Sequence, residues 1–263
     1  MIKKHVFFIE GGDNVGKTTT IEAIKDSSNI QAIIYDKISF IKYPSGNLTS
    51  QINELTKSIA MLDKNYDIDS TLDYRTIKNR YIDDIIGLMI SDMNDSFMPN
   101  IIPNIIHNDH TCQICDRGPL STYLYQYRGY NGLDTLDNIP MANEKNLLEQ
   151  FIKSYVPNSP NDLNVIILHN SKTADDIDSS KEETIAYKKL YDKDIKLQTR
   201  VNNSLNNIVE MIKQNQLSNS HIKFFYIDIF DSEDNRKSTQ DVCSEVIKII
   251  NRAFTGGKYN ETS

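Results

Sequence analysis

Only three cysteines occur in 263 residues, too few for a disulfide framework. Cys112 and Cys115 form a lone CxxC. A zinc site needs a second pair of ligands, and the sequence has no second pair. A redox CxxC opens a helix, whereas this one lies in a short apolar stretch before Asp116 that reads as a strand. In a strand a spacing of three sends two side chains to opposite faces, so both cysteines read as structural. The chain has the character of a reducing compartment. His107, Asp109, His110 and Cys112 fit no standard metal spacing and read as ordinary loop and strand residues. Long hydrophobic runs are also lacking, and none approaches the roughly 20 residues of a membrane helix. The first residues hold a short apolar block that ends at Glu10, which is not a signal-peptide pattern. The expectation is a cytoplasmic protein, in the host cytoplasm if the source is viral, with no membrane partner. Positive charge is not in excess either: the formal net charge is −7 and the sequence pI near 5.3. That excludes a generic basic nucleic-acid reader. It does not exclude an anionic small molecule, because a local cluster of cations can oppose the net charge.

What is present alternates between short apolar runs and amphipathic stretches. Val6 to Ile9, Ala32 to Ile41, Thr111 to Cys115, Leu163 to Leu168 and His221 to Ile229 read as five strands. Helical patterns begin at Lys17 and after Pro119, and cover Thr49 to Leu62, Tyr74 to Met98, Asn143 to Tyr155, Lys181 to Lys213 and Val242 to Phe254. Alternation of this kind predicts an α/β fold with a parallel sheet covered on both faces. The length suits a single domain over residues 1–254 with a disordered tail at 255–263. Polar, acidic or proline-marked stretches at about 63–72, 90–110 and 129–140 read as insertions, and about 169–184 as a lid.

Glycine is scarce, yet three of the ten glycines fall within residues 11–16. Gly11-Gly12-Asp13-Asn14-Val15-Gly16-Lys17-Thr18 fits GxxxxGK[ST] at each fixed position, after a strand and before a helix. Glycines let backbone N–H groups converge on phosphate oxygens, and the helix N-terminus adds partial positive charge. Lys17 can reach the β- and γ-phosphates, and Thr18, followed by Thr19, can ligate Mg²⁺. The motif points to ATP with Mg²⁺. Alone it does not separate kinases from GTPases or ATPases.

A second motif narrows the class. Asp116-Arg117-Gly118-Pro119-Leu120-Ser121-Thr122-Tyr123-Leu124-Tyr125-Gln126 resembles the DR[YH]xxSxxAYQ segment of thymidylate kinases. Phe8-Ile9-Glu10-Gly11-Gly12-Asp13-Asn14-Val15-Gly16-Lys17-Thr18-Thr19 resembles that family's FxEGxDxxGKTT. Tyr43-Pro44-Ser45-Gly46 resembles its turn after the second strand. The likeness spans about residues 3 to 250. It implies a three-layer P-loop kinase fold, a five-stranded parallel sheet flanked by helices with a lid, and a homodimer. It implies transfer of the ATP γ-phosphoryl group to dTMP, with dUMP as a further acceptor to test. A divergent, viral- or phage-like member is the picture that the departures below suggest.

The residues support the same chemistry directly. A nucleoside monophosphate needs no general base, because its second pKa is about 6. It needs cations between two anions and in-line placement. Arg117, at the carboxyl end of a strand, suits the acceptor phosphate. Asp116 would hold Mg²⁺ through water or hold Arg117 in place. The resemblance places Asp13 at the acceptor's 3′-hydroxyl or the transferred phosphate, and Tyr125 under the deoxyribose. It places Ser121, Thr122 and Gln126 around the acceptor, and Lys42, Tyr43 and Pro44 at the edge of its site. Tyr123, Tyr127 and Tyr130 form a separate stripe that reads as core or subunit interface.

Three departures stand out. The family's base-reading arginine has two competing alignments: Asn79-Arg80-Tyr81 resembles the Asn-Arg-Trp of eukaryotic members, while distance from Asp116 points to residues 94–96, which hold no arginine. Arg80 is the preferred reader, although the stacking phenylalanine is replaced by Thr76. No arginine occurs between His169 and Lys196, where the family has a lid cation. Lys172, Lys181, Lys188, Lys189 and Lys193 are there instead, and a missing arginine finger can matter by about 10³–10⁵ in rate. Gly118 replaces the usual aromatic or histidine. Three other readings remain: a deoxynucleoside kinase, which would need a carboxylate base where Tyr43 stands, another deoxynucleoside monophosphate kinase with different base choice, and a non-catalytic P-loop switch.

Overall fold

The computed structural model describes residues 5–13, 15–27, 38–43, 87–88, 91, 112–128, 145–151, 162–171, 195–217 and 222–254. Five strands lie in one sheet: β1 (His5–Gly11), β2 (Ile38–Lys42), β3 (Cys112–Asp116), β4 (Asp162–His169) and β5 (Ile222–Asp228). Their order is β2-β3-β1-β4-β5, and each pairing is parallel. Every residue of β1 and β3 is buried, which is why these strands read as near-continuous apolar runs rather than alternating ones.

The helices are α1 (Lys17–Asp26), α2 (Pro119–Thr122), α3 (Ile195–Lys213) and α4 (Thr239–Phe254), and residues 145–151 are also helical. One face of the sheet, with Phe7, Ile9, Ile114 and Ile166, is covered by α1 and α4. Helix α4 buries Val242, Cys243, Val246, Ile247 and Ile250, the spacing of one helical face, and α1 meets it with Ile21 and Ile24. The other face, with Val6, Phe8, Val165 and Ile167, is covered by α2, residues 147–151 and α3. Helix α3 contributes Val201, Leu205, Ile208 and Val209. The result is the three-layer α/β architecture expected from the alternating pattern. No helix among the described residues is long and apolar enough to cross a membrane.

Cys112 and Cys115 are buried in opposite cores, one on each face of β3, and carry no disulfide. Burial pushes both thiols up, so they stay protonated and inert. Pro119 opens α2 at its first position, as a proline can. The helix then widens into a π-helix over Tyr123–Arg128, a form that residue spacing alone does not announce. Tyr123 is fully buried, edge-on to Phe151 at 5.6 Å between ring centroids. The expected helices at 49–62 and most of 74–98, the three insertions, the body of the lid and the tail lie outside the described residues.

The topology decides where a site can form. The chain leaves β1 toward β2 and β3 on one side, then crosses to β4 and β5 on the other. In such sheets ligands bind beyond the carboxyl ends of the strands, where the strand order reverses. Gly11, Lys42, Asp116 and His169 all stand at those ends.

Candidate active site

The phosphate loop is built by two backbone constraints. Gly11 has φ +143°, and a Cβ there would lie 2.3 Å from the carbonyl oxygen of Leu168 on β4. Only glycine lets the loop leave β1 so close to its neighbour. Gly16 has φ +88° and caps α1 in the left-handed region. Lys17 follows and is buried. Its ammonium donates to the carbonyls of Gly12 at 2.5 Å and Gly11 at 3.2 Å. Burial, then the like charge of Arg117, lowers Lys17 to about 8, so it remains mostly charged at neutral pH.

The facing side is built by β3 and the turn after it. The Thr18 hydroxyl donates to Asp116 Oδ2 at 2.9 Å. Asp116 is 4% exposed, and its Oδ1 is buried with no hydrogen-bond partner among the described residues. Arg117 has φ +71°, a costly conformation for a side chain with a Cβ. Its N–H donates to Ile9 O at 3.1 Å, which fixes the turn against β1. The guanidinium lies 3.7 Å from Asp13 Oδ1 and 5.9 Å from the centroid of the Tyr125 ring. Arg117 is therefore paired with the phosphate loop and not with its neighbour Asp116. Both Asp13 and Arg117 are partly exposed, so this pair is open to a ligand.

Two features behind this surface were not anticipated. Glu10 is fully buried, and its carboxylate accepts the Leu120 N–H at 3.0 Å and the Ser121 hydroxyl. Burial pushes Glu10 up to about 7, against the donors of Ser121 and the charges of Lys17 and Arg117. The signal available in the sequence was an acid inside an otherwise apolar strand. The second feature is Gly118. A Cβ there would lie 2.3 Å from Phe8 Cδ1, so the aromatic ring expected at position 118 is excluded by the ring of Phe8.

Lys17, Thr18, Asp116, Arg117, Asp13 and Tyr125 thus form one connected group at the carboxyl ends of β1 and β3. Thr19 is exposed on the first turn of α1, and Val15 is buried behind the loop. Lys42 is exposed at the end of β2, in register with Asp116. Tyr43 turns into the core beside Leu120, while its N–H donates to Asp116 O at 2.9 Å. Thr122 is buried, and Ser121 is committed to Glu10. Gln126 lies on the π-helix. Asn14, Pro44 and Arg80 lie outside the described residues. On the far side of the loop, His169 Nε2 and Asn206 Oδ1 are 2.8 Å apart and join the end of β4 to α3.

The oxygen donors suit a hard divalent cation. Mg²⁺ usually takes one or two carboxylates and completes its shell with water and phosphate oxygens. Asp116 Oδ1, buried and unsatisfied beside the Thr18 hydroxyl, fits that role. No cluster of three or more acidic, histidine or cysteine ligands occurs among the described residues, so no all-protein metal cage is present there.

No family model matches the chain, and no curated protein matches it. Among solved structures it is similar to the thymidylate kinase from Candida albicans. Identity is 15%, with 95% of this chain and 92% of that chain covered, at a TM-score of 0.53. It is also similar to the thymidylate kinase from Ehrlichia chaffeensis, at 16% identity, with 94% and 99% of the two chains covered and a TM-score of 0.49. The five-stranded parallel sheet, its flanking helices and the likeness to the Candida albicans enzyme together identify the fold as that of the P-loop kinases.

Proposed function

We propose that the chain is a nucleoside monophosphate kinase that transfers the γ-phosphoryl group of ATP to dTMP. The observation that carries this reading is the Arg117–Asp13 pair, which sets a planar cation across the cleft from the phosphate loop. A nucleotide switch or simple ATPase has no use for an acceptor clamp there. A hydroxyl acceptor would need a carboxylate at the end of β2, and Tyr43 in that place is turned into the core.

In this reading Lys17 releases the Gly11 and Gly12 carbonyls and takes the β- and γ-phosphates. Arg117 binds the acceptor phosphate with its planar fork and draws it toward the γ-phosphate, so that attack is in line. Asp13 holds Arg117 before substrate arrives and then faces the acceptor's sugar. The Tyr125 ring, under the guanidinium, keeps it from collapsing onto the helix. Thr18 and Asp116 would hold Mg²⁺, which when bound draws charge from the phosphate oxygens. The acceptor oxygen is already ionised near neutral pH, so no protein base is required. Segment 169–184 serves as the lid, and either one of its lysines supplies the cation that an arginine would bring, or Arg117 and Lys42 suffice, or the enzyme is slow. The protein acts as a homodimer.

The test is an acceptor panel with MgATP: the four deoxynucleoside monophosphates, dUMP and thymidine. Turnover of dTMP is expected, and turnover of dUMP as well would mark relaxed base choice. Turnover of thymidine without dTMP would assign the chain to the deoxynucleoside kinases. ATP binding with no transfer to any acceptor would assign it to the switches.

A further inference from the structure

The helix that follows Arg117 has no cap of its own. The first N–H groups of any helix lack partners within it, and a side chain just before the helix usually supplies one. Gly118 has no side chain to offer, and Phe8 fills the space where one would begin. Two residues further along the same face of β1, Glu10 reaches across instead. Its carboxylate takes the Leu120 N–H at 3.0 Å and the Ser121 hydroxyl, 110 and 111 residues away in the chain. One edge of β1 therefore builds the phosphate loop and also seats the helix that carries Tyr125.

We propose that Glu10 is a positioning residue for the acceptor clamp, its carboxylate holding the segment from Arg117 to Tyr125 in register with the phosphate loop. This rests on the monophosphate kinase reading and adds a link between its two substrate sites. Glu10 is surrounded by groups that respond to its charge. Lys17 faces it from α1 and Arg117 from the turn after β3, with the buried thiol of Cys115 on β3. Asp13 and Asp116 both act on Lys17, and Asp13 also pairs with Arg117. On β4 its register partner is the apolar Ile167. With its ordinary value displaced upward to about 7 by burial, this carboxylate changes charge near neutrality, unlike a surface acid.

The experiment compares the full-length wild type with Glu10→Gln and Ser121→Ala. Rates are measured with MgATP and varied dTMP from about pH 5.5 to about pH 9. In the wild type, kcat/KM for dTMP should fall on the acid side with an apparent pKa of about 7. Glu10→Gln should move that limb to about 6, the value of the monophosphate itself. It should raise KM for dTMP about tenfold and leave ATP affinity within about twofold. Ser121→Ala keeps the carboxylate but removes a donor that holds its value down, so the limb should move upward from about 7, opposite to Glu10→Gln, with a smaller rise in KM. Hydrogen exchange of the unliganded chain gives a readout independent of turnover: residues 119–125 should exchange faster in both variants, with α1 unchanged. Wild-type KM, acid limb and exchange in Glu10→Gln would overturn the proposal, as would an equal loss of affinity for both substrates. If Glu10→Gln does not fold, unchanged exchange over residues 119–125 in Ser121→Ala overturns it. Wild type that phosphorylates no monophosphate would sink the kinase reading, while the exchange data still decide whether Glu10 seats the helix.

Discussion

The hydroxyl of Thr18 donates to Asp116 Oδ2 at 2.9 Å, across 98 residues of chain. That bond joins the first turn after the phosphate loop to the end of the neighbouring strand. It leaves Asp116 Oδ1 buried with no hydrogen-bond partner among the described residues, a state that costs a polar group about 1–3 kcal/mol. A bound cation would remove that cost.

Asp116→Asn keeps the shape and removes the charge. The Mg²⁺ concentration needed for half-maximal rate should rise about 10–100-fold, as for the loss of an orienting group at a metal site. Initial rates across a Mg²⁺ titration check this. An unchanged requirement would remove Asp116 from the cation site.

Arg117 combines an unfavourable backbone with the side chain proposed to hold the acceptor phosphate, so stability and activity should separate there. Arg117→Ala should raise KM for dTMP and lower kcat, with ATP binding largely kept. Arg117→Gly should lose the same activity but melt higher than Arg117→Ala. Relief of φ +71° is worth about 1 kcal/mol even after the extra freedom of glycine in the unfolded chain. Thermal melts of the two variants decide it, and equal or reversed melting would show that the backbone is not strained.

Phe8 and Gly118 share one volume. Gly118→Ala should cost about 1–3 kcal/mol through overpacking against a buried ring. Phe8→Ala should cost about 3–5 kcal/mol. The double variant should be more stable than the two costs added, because the smaller residue at 8 makes room for the methyl at 118. Denaturant melts of the four proteins measure the coupling, and simple additivity would contradict it.

Glu10 also makes stability depend on pH. Its folded value, about 7, lies above the ordinary carboxylate value of 4.5, so the native state binds the proton more tightly than the unfolded chain. The contribution is fully present below about pH 4.5 and is lost as pH rises through about 7, amounting to about 3 kcal/mol. Glu10→Gln should remove this slope from the pH dependence of unfolding free energy. A slope that is the same in both proteins would place the titration elsewhere.

Much of the fold was legible because it rests on local patterns. Helix α1 was read as beginning at Lys17 and is found to begin there, since the loop that precedes it has a fixed spacing. The CxxC was read as two opposed strand residues, and the two cores divide it in that way. What was not legible depends on contacts far apart in sequence. Gly118 read as a missing side chain, and Phe8, 110 residues earlier, explains it. The bond from the Ser121 hydroxyl to Glu10 joins residues 111 apart, which no local pattern announces. The π-helix at Tyr123–Arg128 repeats no local rule, yet it sets where Tyr125 meets Arg117.

The most direct test is a time course of ADP and dTDP formation from equal amounts of MgATP and dTMP, followed by ³¹P NMR. The expected result is one dTDP for each ADP in the wild type and neither product with Lys17→Ala, whose fold is checked by its melt. ADP without dTDP, or dTDP still formed at the wild-type rate by Lys17→Ala, would contradict phosphoryl transfer at this site.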